Sequence, residues 1–172
     1  MKLLLCDTVI IIDAHSLELW NTLKSHYRIH IVSSVLAKES QHFIDGLQMK
    51  HYLDFNADIA QGRVVKISAS MEDIQKVMKR TRESRCEIHL GEAESIAALL
   101  QPENQQLCFC TADKTAVAAA HLFDVMARVK SFEECLRGLK SCTLPYKLTD
   151  KAMQKWRAEA IRRFGLDAVG MK

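Results

Sequence analysis

Apolar and polar positions along this chain follow two rhythms. Short apolar runs, Leu3-Leu4-Leu5-Cys6, Ile29-His30-Ile31-Val32, Val64-Val65-Lys66-Ile67 and Leu107-Cys108-Phe109-Cys110, alternate with longer segments whose apolar residues recur every three or four positions. Runs of that kind predict strands over residues 2–6, 28–32, 63–67 and 107–110, and the slower rhythm predicts helices between them. Residues 8–23 read as two short helices broken near His15, and a further helix starts at Ser34 and carries Val35, Leu36 and Phe43. Ser70 with Asp73 marks the start of a helix reaching about Arg82, and Gly91 precedes an Ala-rich helix over residues 92–100. Asp113 opens a helix through about Phe123, Ser131 with Glu134 fits a capping box, and a last helix runs from Thr149 to a stop at Gly165. Residues 41–62 fit neither rhythm.

Strands separated by helices need crossover connections, which makes the expected sheet mainly parallel with helices flanking it. The expected architecture is a single α/β domain over residues 1–145, with a helical extension over residues 146–172 packed on it. A length of 172 residues with 48% hydrophobic and 26% charged positions suits one ordinary core. The net charge of +3 excludes a strongly basic tail as the means of holding nucleic acid, though it leaves room for a local patch. Asp7 interrupts the apolar start, so no signal peptide is expected, and no stretch approaches a membrane span. The six cysteines contain no CxxC pair, which favours reduced thiols in a cytoplasmic protein.

Four acidic residues stand out by position: Asp7, Glu39, Glu92 and Asp113, each at the end of an apolar run or near the start of a helical one. In an open parallel sheet, ligands bind beyond the carboxyl ends of the strands, at the point where strand order reverses. Asp7 follows the first expected strand directly, Asp113 follows the last after two further residues, and Glu92 and Glu39 lie on helices able to face the same edge. Oxygen donors of this kind suit Mg²⁺ or Mn²⁺. Each carboxylate also has a plainer explanation, since acids in a first helical turn favour the helix dipole by about 0.3–1 kcal/mol. Asp7 is the hardest to explain that way, because a carboxylate between two apolar runs is poorly hydrated and needs a partner.

The elements LLLCDT, VSSVLAKE around Glu39, HLGEAESIAAL from His89 and CFCTADKTAVAAA from Cys108 resemble, in that order, the PIN-domain nucleases. GEAE is similar to their toxin-like prokaryotic branch, and the resemblance covers roughly residues 2–125. It implies a metal-dependent ribonuclease in which Asp7, Glu39, Glu92 and Asp113 form the catalytic acidic set, with Asp7, Glu92 and Asp113 as metal ligands for Mg²⁺ or Mn²⁺. Thr8 and Thr111 take the places of hydroxyl residues beside the pocket, and Glu94 is a further supporting member. Glu94 lies about 200° around a regular helix from Glu92, so the two cannot face one ion. Family members often carry Asn or Ser two residues after the first Asp, whereas this chain has Val9.

The chemistry implied is in-line hydrolysis at phosphorus by a metal-activated water, without a covalent intermediate. A basic run of Lys76, Lys79, Arg80 and Arg82 is a candidate contact for RNA, as is a second run from Lys147 to Arg163. The resemblance also implies an antitoxin protein as partner and a homodimer. Two other functions fit the same residues. One is a weakened module that binds nucleic acid or a protein without turnover, suggested by Val9. The other is phosphotransfer through Asp7, which requires a lysine near the last strands.

Overall fold

Each of the four apolar runs folds as a strand of one parallel sheet, because strands covered on both faces have no polar side to show. The computed structural model describes residues 1–39, 42–44, 47–140 and 142–165, with the backbone alone for Lys38 and Glu39. The chain opens with β1 (Lys2–Cys6), α1 (Thr8–Ser16), α2 (Trp20–His26) and β2 (Tyr27–Val32). A helical turn (Val35–Glu39) leads to a small antiparallel hairpin, β3 (His42–Ile44) and β4 (Lys50–Tyr52), followed by α3 (Asn56–Ala60) and β5 (Val64–Ile67). Then come α4 (Met71–Glu83), α5 (Leu90–Leu100), β6 (Cys108–Cys110), α6 (Lys114–Leu122), β7 (Val129–Lys130), α7 (Phe132–Leu136) and α8 (Asp150–Phe164).

The sheet runs β5-β2-β1-β6-β7, and every pairing in it is parallel. Leu4 lies opposite Ile29 and Cys108, and Leu5 opposite His30 and Phe109. Apart from the partly buried Cys108, these residues are almost fully buried and form the centre of the core. His30 is tolerated there because its ring Nδ1 bonds the Arg28 carbonyl at 3.1 Å, while burial lowers its pKa. The Ala-rich faces of α5 and α6 let both helices lie close, with Ala93, Ala97, Ala116 and Ala120 wholly enclosed. α8 rests on α6 through the Lys114–Glu159 pair at 2.7 Å and the stacked rings of His121 and Phe164. Among the described residues, no helix is long and apolar enough to cross a membrane, and the six cysteines are free thiols.

Two expectations need correction, and a third holds. The helix expected from Ser34 is only the turn Val35–Glu39, and Phe43 belongs to β3, where its ring stacks on His51 at 4.9 Å. The break expected near His15 falls just after Ser16, where Glu18 takes a left-handed conformation (φ 56°) and the Leu19 amide reaches back to the Ala14 carbonyl at 2.7 Å. Residues 41–62, which looked unpatterned, include the hairpin and α3, and Gly62 at φ 67° makes the turn into β5.

His15 anchors the hairpin. Its ring stacks on Trp20 at 4.8 Å and on Phe43 at 5.8 Å, and its Nε2 is buried without a hydrogen-bond partner among the described residues. Burial, reinforced by Lys24 and opposed by Asp58, lowers its pKa from 6.5 to about 4. The folded protein therefore binds this proton less readily than the unfolded chain does. That contribution to stability is complete above 6.5 and declines as the pH falls toward about 4. His15→Phe keeps the ring and removes the proton site, so its urea midpoint is expected to fall less than the wild-type midpoint between neutral pH and about pH 5.

Candidate functional site

Chain order reverses between β1 and β6. From β1 the sheet grows outward through β2 to β5, and the chain then returns to lay β6 and β7 on the other side of β1. The crevice beyond the carboxyl ends of β1 and β6 is therefore the switch point at which such sheets bind ligands. Asp7 and Thr111 are the next residues beyond the paired Cys6 and Cys110, so the sheet itself sets them side by side.

Asp7 is 6% exposed. Its Oδ2 accepts a hydrogen bond from the Thr111 hydroxyl at 2.5 Å, and its Oδ1 caps α1 by accepting from the Val9 amide at 3.4 Å. Thr111 Oγ1 in turn accepts from the Asp113 amide at 3.0 Å. One hydroxyl thus fixes the Asp7 carboxylate and the start of the Asp113 turn together. Asp113 is half-buried and caps α6, with Oδ1 accepting from the Thr115 amide at 2.6 Å, the Thr115 hydroxyl at 2.5 Å and the Ala116 amide at 3.1 Å. Its capping duty falls on Oδ1 and leaves Oδ2 for another partner.

Glu92 and Glu94 sit in the first two turns of α5, both buried. Glu92 folds back to accept the His89 amide at 2.9 Å. Glu94 reaches instead to the end of β2, where its Oε2 accepts from the Ser34 amide at 2.8 Å and the Ser34 hydroxyl at 2.5 Å. The two glutamates point to different partners, as their spacing on the helix requires. Glu92 and Asp113 both lie within electrostatic reach of Cys86. Burial raises the pKa of that thiol first, Arg163 opposes the rise, and the two carboxylates add to it.

The structure thus brings Asp7, Thr111 and Asp113 into one hydrogen-bonded chain, with Glu94 tied to the neighbouring strand end and Glu92 at the head of α5. Thr8 is the first residue of α1 beside Asp7. Glu39 ends the turn after β2, and its side chain lies outside the described residues. Sequence reasoning missed Ser34 and Thr115, the hydroxyls that hold Glu94 and Asp113. Ser34 was findable, since two serines follow the second strand at the very edge where a site is expected. Thr115 had the weaker signal of a hydroxyl two residues beyond a capping Asp.

A hard cation such as Mg²⁺ or Mn²⁺ asks for oxygen donors. Among the described residues, no three His, Cys, Asp or Glu side chains gather into a metal-holding group. Mg²⁺, however, keeps most of its water and is usually held by one or two carboxylates together with substrate phosphates. Asp7 and Asp113 supply carboxylate oxygens of that kind, with Thr111 joining the Asp7 carboxylate to the Asp113 backbone amide. The threonine bond that orients Asp7 is also the sort of support that ligating carboxylates have.

The basic run on α4 separates by environment. Lys76 is paired with Glu72 at 2.7 Å, Lys79 lies 3.9 Å from Glu83, and the Arg80 guanidinium sits over the Phe123 ring. Arg82 is exposed, and its side chain has no partner among the described residues.

No protein-family model, no curated protein and no solved structure matches this chain.

Proposed function

We propose that the protein is a divalent-cation-dependent ribonuclease of the PIN-domain kind, hydrolysing RNA at the carboxyl edge of its sheet. The observation that carries this reading is the Asp7–Thr111–Asp113 chain lying across the switch point between β1 and β6. The buried Asp7 carboxylate already accepts from the Thr111 hydroxyl and the Val9 amide, which hold its oxygens at that edge. In this reading Asp7 and Asp113 hold Mg²⁺ or Mn²⁺, with Glu92 adding negative charge from α5. The cation, when bound, supplies an activated water and stabilises the phosphate oxygens. The protein's own part is to fix the oxygens in advance. Thr111 aims Asp7, Thr115 and the α6 amides aim Asp113, and Ser34 locks α5 against β2 through Glu94.

The weakened-module reading rested on Val9. Its side chain offers no hydrogen bond, yet its backbone amide donates one to Asp7 Oδ1, so the missing polar side chain does not leave that oxygen unsupported. The phosphotransfer reading expects a lysine near the last strands, where Lys130 does stand opposite Cys110, but it leaves Glu39 and Glu92 without a task. Lys130 itself pairs with Glu134 and lines a cavity with Met1, Lys2 and Leu3 at the other end of β1. A protein inhibitor would act by covering the carboxylate edge, and a homodimer is part of the same proposal.

Purified protein with labelled single-stranded RNA tests the reading. Cleavage is expected with Mg²⁺ or Mn²⁺ and is expected to stop in EDTA. RNA left whole under every metal condition sinks it.

A further inference from the structure

A second concavity shares its walls with the carboxylate site. It has a volume of about 590 Å³ and lies between α4, the connection over residues 84–89 and the start of α6, lined by Met78, Thr81, Arg82, Cys86, His89 and Thr115 among others. Two of its lining residues also hold the acids. Thr115 gives its amide and hydroxyl to Asp113, and the His89 amide is bonded to Glu92. Whatever occupies this cleft therefore lies against two residues that hold acids of the proposed reaction centre.

Its frame is rigid. The Arg85 amide bonds the Arg82 carbonyl at 2.9 Å and the Cys86 amide bonds the Thr81 carbonyl at 2.7 Å, which closes α4 with a left-handed residue at Arg85. The Arg163 guanidinium of α8 then grips the Arg85 carbonyl at 2.5 Å. Cys86 is seated by a contact to the Thr115 carbonyl at 3.8 Å, joining the connection to α6.

We propose that this cleft binds one nucleotide of a single-stranded RNA next to the cleaved bond, with Arg82 as the contact to its phosphate. The proposal rests on the ribonuclease reading for the identity of the ligand and adds where the strand lies. The volume falls within the range of small-molecule sites, about 300–1,000 Å³. Met78 and Ile88 offer apolar surface for a base, while the Arg82 guanidinium and the His89 ring offer donors for a phosphate or sugar. Glu87 is the one acid among the described lining residues, so the cleft is not acidic. Arg82 is also the member of its basic run with no side-chain partner among the described residues. Lys76 and Lys79 already have glutamates near them, and Arg80 lies over a ring. A cleft that admits one nucleotide selects a splayed single strand, because stacked bases in a duplex cannot enter it.

The test compares Arg82→Ala with Lys79→Ala. Both remove one positive charge from α4, but only the first lies in the cleft. Binding of a fluorescein-labelled oligouridine is followed by anisotropy in EDTA, so that cleavage does not intervene, and circular dichroism checks each fold. Arg82→Ala is expected to weaken binding about tenfold, the size of a lost bond to a charged group, and to lower the salt slope by about one. Lys79→Ala is expected to weaken it less than about twofold. Equal losses in the two variants, or no binding by the wild-type protein, overturn the proposal. A parallel assay in Mn²⁺ separates the two ideas. Binding that depends on Arg82 without any cleavage keeps the cleft and removes the nuclease; cleavage with equal binding by both variants keeps the nuclease and removes the cleft.

Discussion

Asp7→Asn is expected to leave the protein folded while lowering Mn²⁺-dependent RNA cleavage by more than about 100-fold, since losing a ligating carboxylate costs more than losing one of its supports. The substitution isolates charge from capping. Asn caps a helix about as well as Asp, so its side-chain oxygen can still take the Val9 amide, and the amide group can meet the Thr111 hydroxyl. What disappears is the negative oxygen pair at the switch point. Thr111→Val gives the graded comparison, because it keeps the shape and the Asp7 charge but removes the bond that aims the carboxylate. Its expected loss is about 10–100-fold. Binding of uncleaved RNA in EDTA is expected to stay the same or tighten in Asp7→Asn, as one repulsive charge is gone from the edge. Wild-type cleavage by Asp7→Asn, with metal contamination excluded, would remove Asp7 from the reaction and the proposed function with it.

The parts of this fold that were legible are those where a residue's type and its environment agree. Leu3-Leu4-Leu5-Cys6 and Leu107-Cys108-Phe109-Cys110 are apolar because both faces of β1 and β6 are covered, and a continuous run has no other economical explanation in a short segment. Helix starts were legible for the same reason: Asp7, Ser70, Asp113, Ser131 and Thr149 each accept a backbone amide as caps. Several helix ends were legible too, with α5 closing at Leu100 and α8 at Gly165 as expected and α4 and α6 ending beside Arg82 and Phe123, although three ends carry no glycine. α1, α4 and α6 finish with Glu18, Arg85 and Asp124 in the left-handed conformation, where the signal sought is glycine. These residues bear the backbone cost because the reach-back bonds to Ala14, Thr81 and Ala120 satisfy the helix ends. The hairpin was hidden because β3 and β4 have three residues each, too few to set a period of two. β7 has only two.

The acidic positions Asp7 and Asp113 were legible from the rule for parallel sheets, but their link was not. Nothing local relates Thr111 to Asp7, which is 104 positions away; only the registry of Cys6 with Cys110 puts them together. Glu94 illustrates the opposite case. Helix geometry showed that it could not share an ion with Glu92, and the structure gives the consequence, a bond to Ser34 that ties α5 to β2.

Phe109→Ala is expected to destabilise the protein by about 3–5 kcal/mol, the cost of emptying a closely packed aromatic site. Domains of this size are stable by about 5–15 kcal/mol in all, so the loss is a large share of the total. Phe109 is fully buried, in register with Leu5 on one side and Val129 on the other. The sheet cannot collapse onto the space, because β1 and β7 are held at fixed spacing by the ladder. With a urea slope of about 2 kcal/mol per molar, the midpoint falls by about 2 M and the slope stays unchanged. Phe109→Leu fills most of the volume and is expected to cost less than the alanine change. Met71→Ala, at a side chain 64% exposed at the start of α4, is expected to stay within about 0.5 kcal/mol. If the alanine change at Phe109 unfolds no earlier than the change at Met71, then β6 does not lie at the centre of the sheet. The placement of Thr111 beside Asp7, two residues beyond Phe109 on that strand, would then fail with it.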